Sequence, residues 1–266
     1  MIPSLIAHAR KILIKIGSNT LADREGRINH TFLEEFAAQA AALITSGKQL
    51  VIVSSGAQVA GLSTLGKWTR KQDIHYKQAL CAVGQVELMG AWAAAFTPHG
   101  LHIAQILLTR DDFGDSIRTL NMRNTLFTLV DEGIIPIINE NDTVSVEEIK
   151  IGDNDTLAAQ SAVLWSADLL ILFSDIDGLY DKNPKEYPDA EPVREVQDLA
   201  QIRTQISIGG TNNFGTGGIA TKLDAAQRAV SYGIPMILAH GGRPRALEAL
   251  AAGTQQGTTF PVQSLR

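Results

Sequence analysis

Short apolar runs and stretches of helical periodicity alternate along this chain from end to end. Residues 11–16, 49–53, 101–107, 134–138, 169–173 and 234–238 are rich in Ile, Leu and Val and read as buried strands. Between and after them, residues 31–46, 74–96, 116–132, 156–165, 221–232 and 244–252 carry helical spacing. Several boundaries have a chemical reason. Thr31 with Glu34 is an expected capping box, and Gly47 closes that helix. Pro98 stops the long helix, and Gly133 ends the next one. This alternation predicts βαβ units: an α/β fold with a largely parallel open sheet sandwiched by helices. Residues 181–192 hold three prolines and read as a surface loop. With no repeat and no low-complexity linker, one domain over residues 1–266 is the expectation.

Composition narrows the class. The chain has 266 residues, 45% hydrophobic and 19% charged, enough to bury an ordinary globular core. A formal net charge of -5 argues against a dedicated nucleic-acid binder but leaves room for a small anionic ligand held by local lysines. Cys81 is the only cysteine, so no disulfide framework or thiolate metal site is expected. The histidines include no His-Glu-x-x-His pair, and His99 and His102 flank a loop. No apolar run nears the roughly 18 residues of a membrane span, and the N-terminus lacks a signal-peptide pattern. A cytoplasmic protein without membrane or nucleic-acid partners is the expectation.

Candidate chemistry gathers where strands end. Asn139-Glu140-Asn141-Asp142 closes an apolar strand, and Gly152-Asp153-Asn154-Asp155 opens a helix. Such clusters also build ordinary turns, but two of them so close together fit a polar small molecule bound at the carboxyl end of a parallel sheet. Lys15 lies inside the apolar strand of residues 11–16, directly before Gly17-Ser18. Lysine is rarely buried unpaired, so its ammonium is expected to reach a ligand at the strand end; an edge-strand lysine that blocks aggregation is the alternative. Ser54-Ser55-Gly56 and Ser174-Asp175 end two further strands.

Two glycine-rich segments need separate treatment. Residues 61–67 approach a phosphate loop, but Trp68 replaces the magnesium-binding hydroxyl and no strand leads into the turn. Residues 215–220 match a dinucleotide fingerprint without the strand that should precede it. What remains is a glycine-rich approach to a helix N-terminus, suited to an anion, with Lys222 expected in its first turn. A cation there is unfavourable for the helix dipole unless it meets a phosphate.

On these segments the chain resembles the amino acid kinase family. The segments are residues 14–18, 51–57, 105–110, 138–142, 150–155, 174–180 and 215–222, in order over about residues 10–260. The resemblance implies an αβα sandwich and ATP- and Mg2+-dependent phosphorylation of the side-chain carboxylate of L-glutamate, the first step of proline synthesis. By position it implies that Lys15 and Lys222 neutralise the transferring phosphoryl group, with Asp155 holding both. Ser55, Asp142 and Asn154 would bind glutamate, with Asn139 and Asp153 close by. Lys15, Ser174, Asp175, Thr216, Gly217, Gly218, Ile219, Ala220, Thr221 and Lys222 would bind ATP. No protein metal ligand is assigned, Mg2+ being held mainly by the ATP phosphates. Proline as feedback inhibitor and a homo-oligomer are further implications. Many bacterial members add a C-terminal PUA domain, whereas Arg266 lies just past the kinase region, so its absence is expected. Ser174 stands where the family pattern has threonine, which keeps the hydroxyl.

The residues fit this chemistry independently. A glutamate side chain, with pKa about 4.3, is ionised at neutral pH and needs no general base. The difficulty is bringing anion to anion, which calls for lysines, Mg2+ and N–H groups. Rival readings are a sister kinase for acetylglutamate, aspartate or a nucleoside monophosphate, and a non-catalytic sensor of ATP or amino acid. The acidic acceptor clusters disfavour a nucleotide, and retention of both lysines disfavours a sensor.

Overall fold

The computed structural model describes residues 1–66, 73–145, 154–182, 184, 186–208 and 218–262. Its centre is a seven-stranded sheet in the order β3-β4-β2-β1-β5-β8-β9. These strands are β1 (Lys11–Ile16), β2 (Gln49–Ser54), β3 (Ile103–Leu108), β4 (Ile135–Glu140), β5 (Leu169–Ser174), β8 (Met236–His240) and β9 (Thr258–Phe260). All neighbours pair in parallel except β8 and β9, which are antiparallel. A separate antiparallel pair, β6 (Leu179–Tyr180) and β7 (Pro192–Val193), brackets the proline-containing loop. The largely parallel sheet between helices is thus as the sequence implies. The β2–β4 ladder pairs Ile52 with Ile137 and Val53 with Ile138, beyond Pro136, whose ring nitrogen cannot donate.

Strand parity builds two cores. On β1, Ile12, Ile14 and Ile16 face α1 (Ile2–His8), α3 (His30–Thr45), α5 (Ile74–Phe96) and α10 (Ala246–Ala252). Leu13 faces the opposite side, with α6 (Ser116–Asp131), α7 (Asp155–Trp165) and α9 (Gly218–Ser231). Lys15 shares the parity of Leu13 and so projects toward α7 and α9. On the first face Trp92 packs edge-on against Phe36 and stacks on Phe96. Helix α4 (Ala57–Leu65) lies against α5 at very short range. A Cβ at Gly61 would fall 1.9 Å from the Leu80 carbonyl oxygen, and one at Gly84 1.8 Å from that of Ala57. Two facing glycines are what allow this crossing. Gly61 therefore serves helix packing, in keeping with rejection of a phosphate loop there.

Several expectations shift. Helix α3 starts at His30 and is capped by Asn29, whose side chain accepts from the Phe32 N–H, so Thr31 lies inside the helix and is not its cap. Helix α9 begins at Gly218, which places Lys222 just beyond the first turn. The apolar periodicity did not reveal α1, α2 (Ser18–Leu21), α4, α8 (Leu199–Ile208) or the short strands β6, β7 and β9. The stretch Ile74–His99 is long and apolar enough to cross a membrane by length and composition, an 18-residue window within it reaching a mean hydropathy of 1.4. The sequence expectation concerned an unbroken apolar run, and here alanines and large apolar residues raise the average of a helix that Gln85 and Glu87 interrupt. Leu88, Trp92 and Phe96 bury this helix in the core beneath the sheet, as in a core helix.

Candidate functional site

The four strand ends singled out in the sequence belong to β4, β2, β1 and β5, which are consecutive in the sheet. Their polar groups therefore form one row along its carboxyl edge. Lys15, next to last on β1, is 6% exposed. Its Nζ lies 2.6 Å from Asp155 Oδ1, and Lys222 Nζ lies 2.9 Å from Asp155 Oδ2. Asp155 is the first residue of α7 and is fully buried, where the helix N-terminus also favours a carboxylate. Burial pushes its carboxyl up, but attraction and hydrogen bonding from Lys15 and Lys222 outweigh that and hold it below the usual carboxylate range. One carboxylate and two ammonium groups leave the trio with a positive charge in a low-dielectric setting, suited to phosphate oxygens. Thr221 adds a longer contact of 3.4 Å to Asp155 Oδ2.

Beside the trio runs a chain of buried amides. Asn154 Nδ2 donates to Asn139 Oδ1 at 2.8 Å and approaches the Ser54 carbonyl at 3.4 Å. Asn139 Nδ2 donates to Gln85 Oε1 at 2.8 Å. Asn139 is 2% and Asn154 7% exposed, so these bonds hold the two amides in a fixed orientation. Ser55 is buried at the end of β2, where its N–H donates to the Ile16 carbonyl at 3.0 Å and ties the β2 and β1 ends together. Gly56 follows at φ 102°, a conformation that L side chains rarely adopt. Trp92 Nε1 donates to Ser54 Oγ at 2.9 Å, fixing the same turn from beneath. Asp142, just past β4, is partly buried and faces Cys81 on α5; burial, then the Asp142 carboxylate, pushes the Cys81 thiol up.

On the far side of β1, Ser174 is buried at the end of β5 and its hydroxyl donates to Asp175 Oδ1 at 3.1 Å. Asn19 Nδ2 donates to Asp175 Oδ2 at 2.9 Å. Burial raises the Asp175 carboxyl, but Asn19, the local backbone N–H and Ser174 bring it below its ordinary value. Gly218, Ile219, Ala220 and Thr221 form the first turn of α9, ahead of Lys222.

The structure thus brings together Lys15, Lys222, Asp155, Asn154, Asn139 and Ser55, with Ser174 and Asp175 on the neighbouring strand end. Asp153, Thr216 and Gly217 lie outside the described residues. Sequence reading missed Gln85, Trp92 and Asn19, which together with Ser54 hold site residues in place. The usable signal for Gln85 was its place on the buried face of α5 with Cys81, Leu88 and Trp92. Among the described residues no group of three or more His, Cys, Asp or Glu could hold a metal ion. The cationic trio fits a polyphosphate that brings its own Mg2+.

Comparison with known proteins bears on the family and the fold. The model of the amino acid kinase family matches residues 10–253. A glutamate 5-kinase from Alkaliphilus metalliredigens (strain QYMF) is 62% identical over 260 residues, covering 98% of each chain. A glutamate 5-kinase from Alkaliphilus oremlandii (strain OhILAs) is 58% identical, covering 98% of this chain and 99% of its own. Among solved structures, the UMP kinase from Ureaplasma parvum superposes with a TM-score of 0.69 at 16% identity, covering 95% of this chain and 98% of its own. At that identity the likeness shows the fold alone. Fold, site geometry and a match spanning nearly the whole chain lead to one conclusion: the protein belongs to the amino acid kinase family.

Proposed function

We propose that the chain is a glutamate 5-kinase, transferring the γ-phosphoryl group of ATP to the γ-carboxylate of L-glutamate with Mg2+. The observation that carries this reading is the buried Lys15–Asp155–Lys222 bridge beside the Asn139–Asn154 amide pair. A γ-carboxylate oxygen attacks the γ-phosphorus, the bond to the β-phosphate oxygen breaks, and ADP leaves with that electron pair. The products are L-glutamyl 5-phosphate and ADP, the first step of proline biosynthesis. No proton has to be removed from the nucleophile. Lys15 and Lys222 meet the charge on the transferring group and the leaving oxygen, and Asp155 keeps both ammonium groups aimed. Mg2+, when bound with ATP, supplies further neutralisation of the phosphates.

On the acceptor side, Ser55, Asn139 and Asn154 bind glutamate and Asp142 meets its α-ammonium; Asp153 is assigned to this side by the family pattern alone. On the nucleotide side, Ser174, Asp175 and the segment from Thr216 to Lys222 bind ATP. An N-acetylated acceptor has no ammonium for Asp142, which favours the free amino acid. Proline shares the α-ammonium and α-carboxylate of glutamate, so it is proposed to inhibit by competition at this pocket, and glutamate is expected to relieve that inhibition. Exposed Ile117 and Leu120 on α6, with the edge strand β3, support a homo-oligomer. A single kinase domain working in the cytoplasm completes the reading.

The test is ADP release with glutamate, N-acetylglutamate, aspartate or uridylate as acceptor. Turnover with glutamate alone is expected; equal turnover with N-acetylglutamate contradicts the reading.

A further inference from the structure

Helix α5 buries an almost wholly apolar face, interrupted at Gln85. Gln85 is 8% exposed, and its Oε1 accepts from Asn139 Nδ2 at 2.8 Å. The polarity of that contact is fixed by the backbone. Asn139 Oδ1 accepts from the Glu140 N–H at 2.9 Å, and a backbone nitrogen can only donate. Asn139 must therefore turn Nδ2 to Gln85, Gln85 must answer with Oε1, and Gln85 Nε2 is directed elsewhere. That nitrogen is buried and has no hydrogen-bond partner among the described residues. A buried donor without an acceptor is destabilising, and a Met of similar volume would avoid the cost. Its neighbours belong to the acceptor side: Cys81, one turn earlier on α5, meets Asp142, and Asn139 links Gln85 to Asn154 beside Asp155. The lysines hold the γ end of the acceptor at Asp155. Gln85 is two amides away from them, toward Asp142 and so toward the α end.

We propose that Gln85 is a specificity-determining residue, its Nε2 donating to the α-carboxylate of the amino-acid acceptor while its Oε1 fixes Asn139. The proposal rests on glutamate being that acceptor. A neutral amide suits the task, because it binds an anion without adding charge beside the cationic trio. It also gives the pocket a donor for the α-carboxylate distinct from the acidic group for the ammonium, so both halves of a free amino acid are read.

Two substitutions test it. Gln85→Glu keeps an oxygen for Asn139 but turns an anionic oxygen on the α-carboxylate. Gln85→Met removes both contacts at similar volume. A lost hydrogen bond to a charged group corresponds to about 10- to 100-fold in affinity. The KM for glutamate is expected to rise at least about tenfold in both variants, with the KM for ATP within about twofold as the control for an intact fold. If Gln85 acted only through Asn139, the Glu variant would keep a normal KM for glutamate, and that result overturns the proposal. Should the buried charge unfold the Glu variant, Gln85→Met decides: a KM raised for glutamate but not for 4-aminobutyrate, which lacks the α-carboxylate, supports direct contact, and an equal rise for both acceptors, or a lowered kcat at unchanged KM, overturns it. Wild-type protein that releases no ADP with glutamate would overturn the parent reading; normal wild-type turnover with unaltered KM in the variants overturns this one alone.

Discussion

Lys15 Nζ lies 2.6 Å from Asp155 Oδ1, joining the end of the central strand to the start of α7 with both groups buried. The second oxygen of the same carboxylate takes Lys222 from α9. Three elements distant in sequence thus converge on one buried anion, and the surplus positive charge is arranged before any nucleotide arrives. Such preorganisation lets the ammonium groups stabilise developing charge without first reorienting.

Lys15→Met and Lys222→Met are each expected to lower kcat by about 100- to 1000-fold, with the KM for glutamate changed only a few-fold. Steady-state kinetics at saturating ATP read this. Near-normal kcat in either variant would remove that lysine from the transfer step.

Asp155→Asn is expected to destabilise the protein by about 3–5 kcal/mol at pH 7, because two buried ammonium groups lose their counter-charge. The folded-state pKa of Asp155 lies below its unfolded value. Its stabilising contribution is therefore present above about pH 4 and is lost as pH falls toward and through the folded value. Urea midpoints across pH 7 to 2.5 should show the wild type falling more steeply than Asp155→Asn below about pH 4. Parallel slopes would mean that the ion pairs contribute no net stability.

Asp142→Ala is expected to weaken glutamate binding by about 2–5 kcal/mol while ATP binding holds, since it strands the substrate ammonium. Calorimetric titration of each ligand separates the two. Loss of ATP affinity with intact glutamate affinity would place Asp142 on the nucleotide side.

Gly84→Ala is expected to cost several kcal/mol of stability or force α4 from α5, because overpacking alone costs about 1–3 kcal/mol and here the added carbon meets backbone at 1.8 Å. A thermal melt within a degree or two of wild type would mean that this helix crossing relaxes freely.

Much of this was legible in the sequence because the physics there is local. The spans Lys11–Ile16 and Ile74–Phe96 emerge from apolar density and from Pro98 with no reference to the rest of the chain. Lys15 stood out because lysine inside an Ile-rich strand violates the burial rule. Its partner did not, since nothing local ties Asp155 to residues so distant, and only the family resemblance put the three together. The Asn29 cap was missed because the Thr31–Glu34 spacing imitates a capping box two residues along. Gln85 was overlooked for another reason: its signal was only its helical spacing with Cys81, Leu88 and Trp92, and a single glutamine at such a position stands out only once the buried face is known. The β6–β7 pair was hidden by its brevity, its register being set by tertiary contacts such as Thr258 with the Leu179 N–H.

The most direct test of phosphoryl transfer to the side-chain carboxylate is chemical trapping of the product. An acyl phosphate reacts with hydroxylamine, so glutamate, ATP, Mg2+ and the protein should yield glutamyl γ-hydroxamate in amounts equal to the ADP released. The hydroxamate should vanish in Lys15→Met and Lys222→Met in proportion to their loss of kcat. ADP formed without hydroxamate, or hydroxamate formed equally well from N-acetylglutamate, would contradict the account.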